Sequence, residues 1–150
     1  MDEDHHHRER LRKLLETQQL AVLGTQREDG PYTSLVGFAA TPDHRYLLFA
    51  TGRSTRKHDN LMSDARASML VDNRTNDASD FTQASAATAV GTVETVPEAE
   101  RAAFEHVFLG KHPHLESFVA SPSCALMRLH VSVYLVVTRF QHVIELYVDG

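Results

Sequence analysis

Residues 49–71 read FATGRSTRKHDNLMSDARASMLV, and this stretch decides the fold of the chain. It starts at the end of one apolar run, passes through a basic, hydroxyl-rich cluster and finishes in a second apolar run, residues 67–71. Ser54 or Thr55 is suited to cap a short helix that brings Leu61 and Met62 onto the core. The pattern therefore predicts a strand, a short helix and a second strand, with the cluster at the helix N-terminus.

The cluster joins three cationic side chains to two hydroxyl groups. Its members are Arg53, Ser54, Thr55, Arg56 and Lys57. A helix N-terminus presents unpaired backbone N–H groups and a partial positive charge, and arginine adds a planar fork for phosphate oxygens. The residues alone leave two interpretations open: a phosphate site, or a solvated basic turn whose hydroxyl groups only cap the helix.

Strand-like segments surround this stretch. Apolar and β-branched runs predict strands at 20–25, 32–40, 46–51, 67–71, 84–96, 125–138 and 142–148. Helical spacing predicts helices at 8–18 and 97–109, with a turn or two after Pro113. Asp29 and Gly30 favour a hairpin between the first two strands, and with the third strand they should form a meander, while Gly91 permits a bulge or a sharp barrel bend. The connection at 138–141 suits either a hairpin or a bulge in one bent strand. These elements indicate a mainly β (α+β) antiparallel fold of about seven strands with short helices inserted.

Composition limits the class of protein. The 150 residues are 42% hydrophobic, which suits one domain at 8–150 preceded by a flexible tail at 1–7. A formal charge of −5 provides no overall basic field for nucleic acid. No apolar run approaches the roughly 20 residues that span a bilayer. The single cysteine, Cys124, excludes an internal disulfide and favours a cytoplasmic location. His106, His112 and His114 match no zinc spacing and are interpreted as surface histidines, so no metal is expected.

Residues 49–71 resemble the phosphate segment of the pyridoxamine 5′-phosphate oxidase family and its FMN-binding split-barrel relatives. In that family a strand ends in Thr or Ser, a Ser-Arg-Lys-like cluster follows, and a short helix leads into the next strand. The matching positions are Phe49, Thr51, Thr55, Arg56, Lys57, Leu61, Arg66, Ser68 and Leu70. The resemblance, which extends over about residues 10 to 148, implies an antiparallel split β-barrel that binds FMN.

The resemblance also implies roles for individual residues. Thr55, Arg56 and Lys57 would hold the FMN phosphate, with Arg53, Ser54 and Asn60 nearby. The flavin ring would lie along Ser34, Leu35 and Val36, and Thr51 would sit between the two groups. In the family the ring occupies a cleft between two protomers, so a homodimer with two FMN is implied.

Departures from the family pattern argue against the vitamin-oxidising reaction. Ser34 and Ala39 stand about where those enzymes have cationic contacts, and Ala86 stands where they have a glutamine near the ring. Those enzymes also end in a substrate-binding segment, whereas this sequence ends ELYVDG. We therefore expect an FMN-dependent oxidoreductase that acts on a different small-molecule substrate or electron donor. A non-catalytic flavin carrier or sensor, and a haem-binding or haem-degrading relative, remain the alternatives.

Overall fold

The computed structural model of the protein describes residues 2–138 and 142–148. The strands are β1 Leu20–Arg27, β2 Gly30–Gly37, β3 Ala39–Ala40, β4 Tyr46–Gly52, β5 Arg66–Asp72, β6 Ser85–Thr95, β7 Cys124–Thr138 and β8 His142–Tyr147. The helices are α1 Asp2–Thr17, α2 Arg56–Ser63, α3 Asp80–Gln83, α4 Glu98–Lys111 and α5 Glu116–Ala120, with a 3-10 turn at Pro113–Leu115. None of the described helices is both long and apolar enough to cross a membrane.

All eight strands belong to one antiparallel sheet, in the order β2-β1-β5-β6-β7-β4-β3, with β8 also paired to β7. The fold class predicted from the sequence is confirmed. The predicted second strand, residues 32–40, divides into β2 and β3, and its last two residues pair with β4 as the predicted meander requires, while the whole of β4 also pairs with β7. The register of β4 on β7 runs from Tyr46 opposite His130 to Gly52 opposite Cys124. Residues 139–141, which connect β7 to β8, lie outside the described residues, but the antiparallel pairing of the two strands favours the hairpin.

Strand β7 lies between two hydrophobic cores, so both faces of its first half are buried. The odd-numbered side chains from Ala125 to Val131 join the larger core, which α1 closes with Leu11, Leu14 and Leu15. On the other face, Leu126 packs in the smaller core with residues of α4 and α5. Burial on both faces explains why a strand from the far end of the chain becomes the partner of β4.

The bulge predicted at Gly91 is confirmed. Val90 pairs with Val133 while Gly91 pairs with Val131, so Ser132 of β7 has no register partner on β6, although its Oγ donates to the carbonyl oxygen of Val90 at 2.9 Å. The extra residue changes the phase of β7: odd-numbered side chains face the larger core up to Val131, and even-numbered ones do so from Tyr134 onward. A Cβ atom on Gly91 would lie 2.0 Å from the carbonyl oxygen of His130, so the close approach of the two strands requires glycine.

Helix α1 begins at Asp2, six residues before the predicted start, so residues 2–7 are helical and do not form the expected tail. His7 is only 5% exposed. Its Nδ1 lies 2.6 Å from the carbonyl oxygen of Glu3, and its ring stacks on that of His142, with 6.1 Å between centroids. This contact joins two ends of the sequence, and helical periodicity alone does not reveal it.

The end of α4 is anchored by two basic side chains. Lys111 Nζ donates to the carbonyl oxygen of Leu15 at 2.9 Å and lies 3.8 Å from the centroid of the Phe38 ring. Partial burial lowers the pKa of Lys111 to about 8. His112 is buried, and its Nε2 lies 2.7 Å from the carbonyl oxygen of Phe38. The prediction of a surface histidine is therefore wrong for His112, because the break between β2 and β3 exposes a carbonyl group that this ring satisfies.

We predict that Gly91→Ala lowers the free energy of unfolding by at least about 2 kcal/mol, because its methyl group would overlap the backbone of His130. Gly110→Ala is the matched control: this glycine lies in α4, and a Cβ atom there would meet nothing within 4 Å. Removing a helical glycine should raise the stability by up to about 1 kcal/mol. Denaturant unfolding of both variants measures the two effects, and equal stabilities would contradict the bulge geometry.

A second prediction concerns acid stability. Burial lowers the pKa of His112 below its ordinary value of 6.5, so the folded protein favours the neutral ring more than the unfolded chain does. The contribution of His112 to stability is therefore complete above about pH 6.5 and is lost as the pH falls through the lowered pKa of the folded state. His112→Gln, which keeps a donor for Phe38, should reduce the loss of unfolding free energy between about pH 7.5 and 5.5. His106→Gln changes an exposed histidine of α4 and should leave that loss unchanged.

Candidate functional site

The site forms where β4 ends and α2 begins. The pairing of Gly52 with Cys124 fixes the end of β4, and the backbone N–H of Arg53 then donates to the carbonyl oxygen of Ser123 at 2.8 Å. Arg53 also points its Nε toward the carbonyl oxygen of Pro122, at 3.3 Å. Both bonds tie the basic turn to the residues before β7, so the longest strand of the sheet positions the start of α2.

Thr55 is the N-cap of α2, as the sequence predicts. Its Oγ accepts a hydrogen bond from the backbone N–H of His58 at 3.3 Å, donates to the carbonyl oxygen of Gly52 at 3.0 Å and lies 2.9 Å from Thr51 Oγ. Thr51 is 1% exposed. Both threonine hydroxyl groups are therefore engaged within the protein, and capping is the role that the geometry of Thr55 supports.

The first turn of α2 leaves other donors free. The N–H groups of Arg56 and Lys57 have no acceptor inside the helix, and none is found elsewhere in the described part of the chain. Arg56 is exposed, and its guanidinium carbon lies 5.2 Å from the centroid of the Tyr32 ring. Ser54 is exposed beside them. The turn thus presents backbone donors together with cationic side chains, which is the chemistry of an anion site.

The positive charge of this turn is not neutralised by nearby carboxylates. The nine ion pairs within residues 2–138 and 142–148 include none of Arg53, Arg56 and Lys57. Asp64, just after α2, is bound by its own partner: Arg66 donates to both of its oxygens, at 3.0 and 2.8 Å. This hydrogen bonding lowers the pKa of Asp64 to about 2. Asp59, in the first turn of α2, is the exposed carboxylate nearest in sequence to the three cations.

The three β2 residues predicted to lie along one ligand do not share a face. Ser34 and Val36 point to the interior with Leu23, whereas Leu35 points outward and is 64% exposed. Alternation along a strand requires this separation. What the three residues do share is their position at the end of the sheet, where β2 pairs with β1 alone among the described strands. A ligand beside β2 would therefore meet the backbone edge of the strand.

Asn60 is fully buried, so its side chain does not reach the surface where the cations lie. Its Nδ2 donates to Thr25 Oγ at 3.0 Å and ties α2 to β1. Met62, predicted to face the core, is instead 55% exposed.

The sequence interpretation missed two residues at this site, Tyr32 and His58. Tyr32 supports Arg56, and His58 is buried in the first turn of α2. The helical spacing of His58 to the buried Leu61 is a signal that could have revealed the burial of the histidine.

Comparisons with known proteins agree with this architecture. The model of the family described as pyridoxamine 5′-phosphate oxidase matches residues 8–134. A comparison with curated protein sequences gives no match. Among solved structures, a heme binding protein from Mycobacterium smegmatis superposes with a TM-score of 0.83 at 17% identity, covering 94% of this chain and 57% of that protein. This chain therefore spans little more than half the length of that protein.

Two further solved structures have the same fold. A Clostridium acetobutylicum protein related to general stress protein 26, of the pyridoxinephosphate oxidase family, has a TM-score of 0.70 at 17% identity, with 93% of each chain covered. A FAD-binding protein from Mesorhizobium loti has a TM-score of 0.66 at 14% identity, covering 83% of this chain and 89% of the other. Because the family model extends from α1 into the second half of β7, this protein belongs to the pyridoxamine 5′-phosphate oxidase family.

Proposed function

We propose that this protein binds FMN by its phosphate group at the start of α2 and serves as an FMN-dependent oxidoreductase. The observation that carries the proposal is the set of three cations, Arg53, Arg56 and Lys57, which have no carboxylate partner among the described residues and belong to the same turn as the free N–H groups. A phosphate monoester needs this donor set, since its oxygens accept several charge-assisted hydrogen bonds at once.

The residues present fit such a cofactor. Arg56 and Lys57 would hold the phosphate with the backbone N–H groups of the first turn, and Arg53 would add a third charge from the strand end. Thr55 would keep the turn in shape through its cap. The open edge of β2 would offer backbone groups to the ring. FMN supplies electron and hydride transfer when bound, so the protein is needed chiefly for binding and orientation.

The substrate is proposed to differ from pyridoxamine phosphate. Ala39, at a position where the vitamin oxidases have a cationic contact, is 2% exposed and carries no polar group. Ala86, at the position of their glutamine, pairs with Val137 in an apolar part of the sheet. These positions lack the cationic and amide groups that the vitamin oxidases place against the flavin and the substrate. Reduction of the bound flavin by NADH or NADPH would support an enzyme, whereas a flavin that no donor reduces would support a carrier or sensor.

Haem is the second candidate ligand, because one similar solved structure is that of a heme binding protein. At 17% identity the likeness extends to the fold alone. Folds of this kind host several ligands, and the side chains of the site decide between them. The free N–H groups and cations at α2 suit a compact phosphate better than the two extended carboxylates of haem. Titration of the purified protein with haemin beside FMN tests the alternative directly.

We predict that the wild-type protein binds FMN and that Arg56→Ala with Lys57→Ala weakens the affinity by at least about 100-fold. Two charge-assisted hydrogen bonds worth about 1.5–3 kcal/mol each account for this loss. Quenching of flavin fluorescence measures the dissociation constants. Arg12→Ala with Lys13→Ala is the matched control, because it removes the same two residue types from the exposed face of α1. Unchanged affinity in the α2 variant would place the phosphate elsewhere.

The outer face of the sheet supports a homodimer. Leu35, Val22, Leu70, Thr88 and Leu135 are register neighbours on five consecutive strands and form an outer row, all of it at least partly exposed. Mostly apolar side chains in a row of this length are typical of a surface that another protein covers. We propose that a second copy of the chain covers the outer row and completes the flavin cleft beside β2.

We predict that Leu35→Lys with Leu70→Lys converts a wild-type dimer into a monomer, because each charge would be buried without a partner in the interface. Light scattering after size-exclusion chromatography gives the molar mass. Phe118→Lys serves as the control, since this side chain is 45% exposed on α5 and lies outside the outer row. A wild-type protein that is monomeric at micromolar concentration would contradict the dimer proposal.

A further inference from the structure

Four buried side-chain polar atoms lack a hydrogen-bond partner in the described residues. They are Ser34 Oγ, both ring nitrogens of His58, and Asn60 Oδ1. Three of the four belong to α2 and the fourth to β2, against which α2 packs. Native proteins rarely leave buried polar atoms unpaired, so each such atom calls for an explanation. The unpaired atoms of this protein therefore concentrate at the elements that build the anion site.

His58 is the member of this set that lies closest to the anion site along the chain. It is the third residue of α2 and is 9% exposed. Its backbone N–H is already bonded to the cap, so only its ring is unpaired. The Cα–Cβ bond of a helical residue tilts toward the helix N-terminus, which directs this ring over the first turn. The ring therefore belongs to the same first turn as the free N–H groups of Arg56 and Lys57.

Besides the exposed hydroxyl group of Ser54, two other side-chain donors next to this turn are already engaged. Thr55 Oγ is shared among Gly52, Thr51 and His58, and the amide nitrogen of Asn60 is bonded to Thr25. An imidazole carries at least one N–H in every protonation state and tautomer. Flipping the imidazole ring of His58 about its Cβ–Cγ bond exchanges the positions of its nitrogen and carbon atoms. A ring nitrogen can therefore change its direction without any movement of the helix backbone.

We infer that His58 is a binding residue of the anion site, whose ring donates an N–H to the phosphate of bound FMN. This inference rests on the proposed function. A phosphate-binding role for His58 has a consequence that a purely structural role would not have. Without ligand, the two unpaired nitrogens make His58 less stabilising than an apolar ring of similar shape. With ligand, the same ring strengthens binding. Stability and affinity should therefore respond to its replacement in opposite directions.

The experiment compares His58→Phe and His58→Gln with wild type, using the full chain and FMN. His58→Phe should raise the thermal midpoint of the ligand-free protein and weaken FMN binding about tenfold, the loss of one hydrogen bond to a charged group. His58→Gln keeps an N–H donor and should bind FMN within about threefold of wild type. His106→Phe, an exposed position on α4, should change neither quantity.

The outcomes separate this inference from the proposed function. If wild type and His58→Phe bind FMN equally well, the inference is overturned while FMN binding stands. If His58→Phe lowers the thermal midpoint of the ligand-free protein or fails to fold, the unpaired ring nitrogens do not destabilise the free protein, and the inference is again overturned. If wild type does not bind FMN, the proposed function fails, and the role of His58 fails with it.

Discussion

The placement of β7 between two cores is the constraint on which the rest of this structure depends. Burial of both faces makes its first half the partner of β4 on one side and of β6 on the other. The end of β4 is therefore fixed opposite Cys124, and the basic turn that follows is fixed by the residues just before β7. The start of α2 occupies its position because a strand more than sixty residues later in the chain holds it there.

Much of the fold could be predicted from the sequence, because the signals were local. Residues 49–71 carry a helix cap and two apolar runs, and Gly91 marks the bulge. The errors arose where the deciding contact was distant. The pairing of β4 with β7 could be assigned only with knowledge of both cores, and the burial of His7 depends on its contact with His142. His112 is buried because a carbonyl group at the β2–β3 break requires a donor.

For the candidate site, too, the sequence predicted the local features and missed those that depend on distant contacts. The cations at 53–57 were recognisable as an anion site because their chemistry follows from residue type and from the helix that begins among them. The roles of the hydroxyl groups were not recognisable, since Thr51 and Thr55 bond to each other and to the turn backbone. The alternation of Ser34, Leu35 and Val36 could have been deduced from strand geometry alone. Burial of Asn60 against Thr25 required the packing of α2 on β1.

Ser132, the extra residue of β7 at the bulge, also determines which kinds of sequence change this protein can accept. Side chains along a strand alternate between its two faces. In β7 one extra residue shifts this alternation midway along the strand, so that even-numbered instead of odd-numbered side chains face the larger core. Replacing one residue type by another leaves the phase as it is. Deleting or inserting a single residue between Val131 and Tyr134 reverses it, turning Tyr134 and Val136 outward and their neighbours inward. In this segment the count of residues is therefore a stricter requirement than their identity.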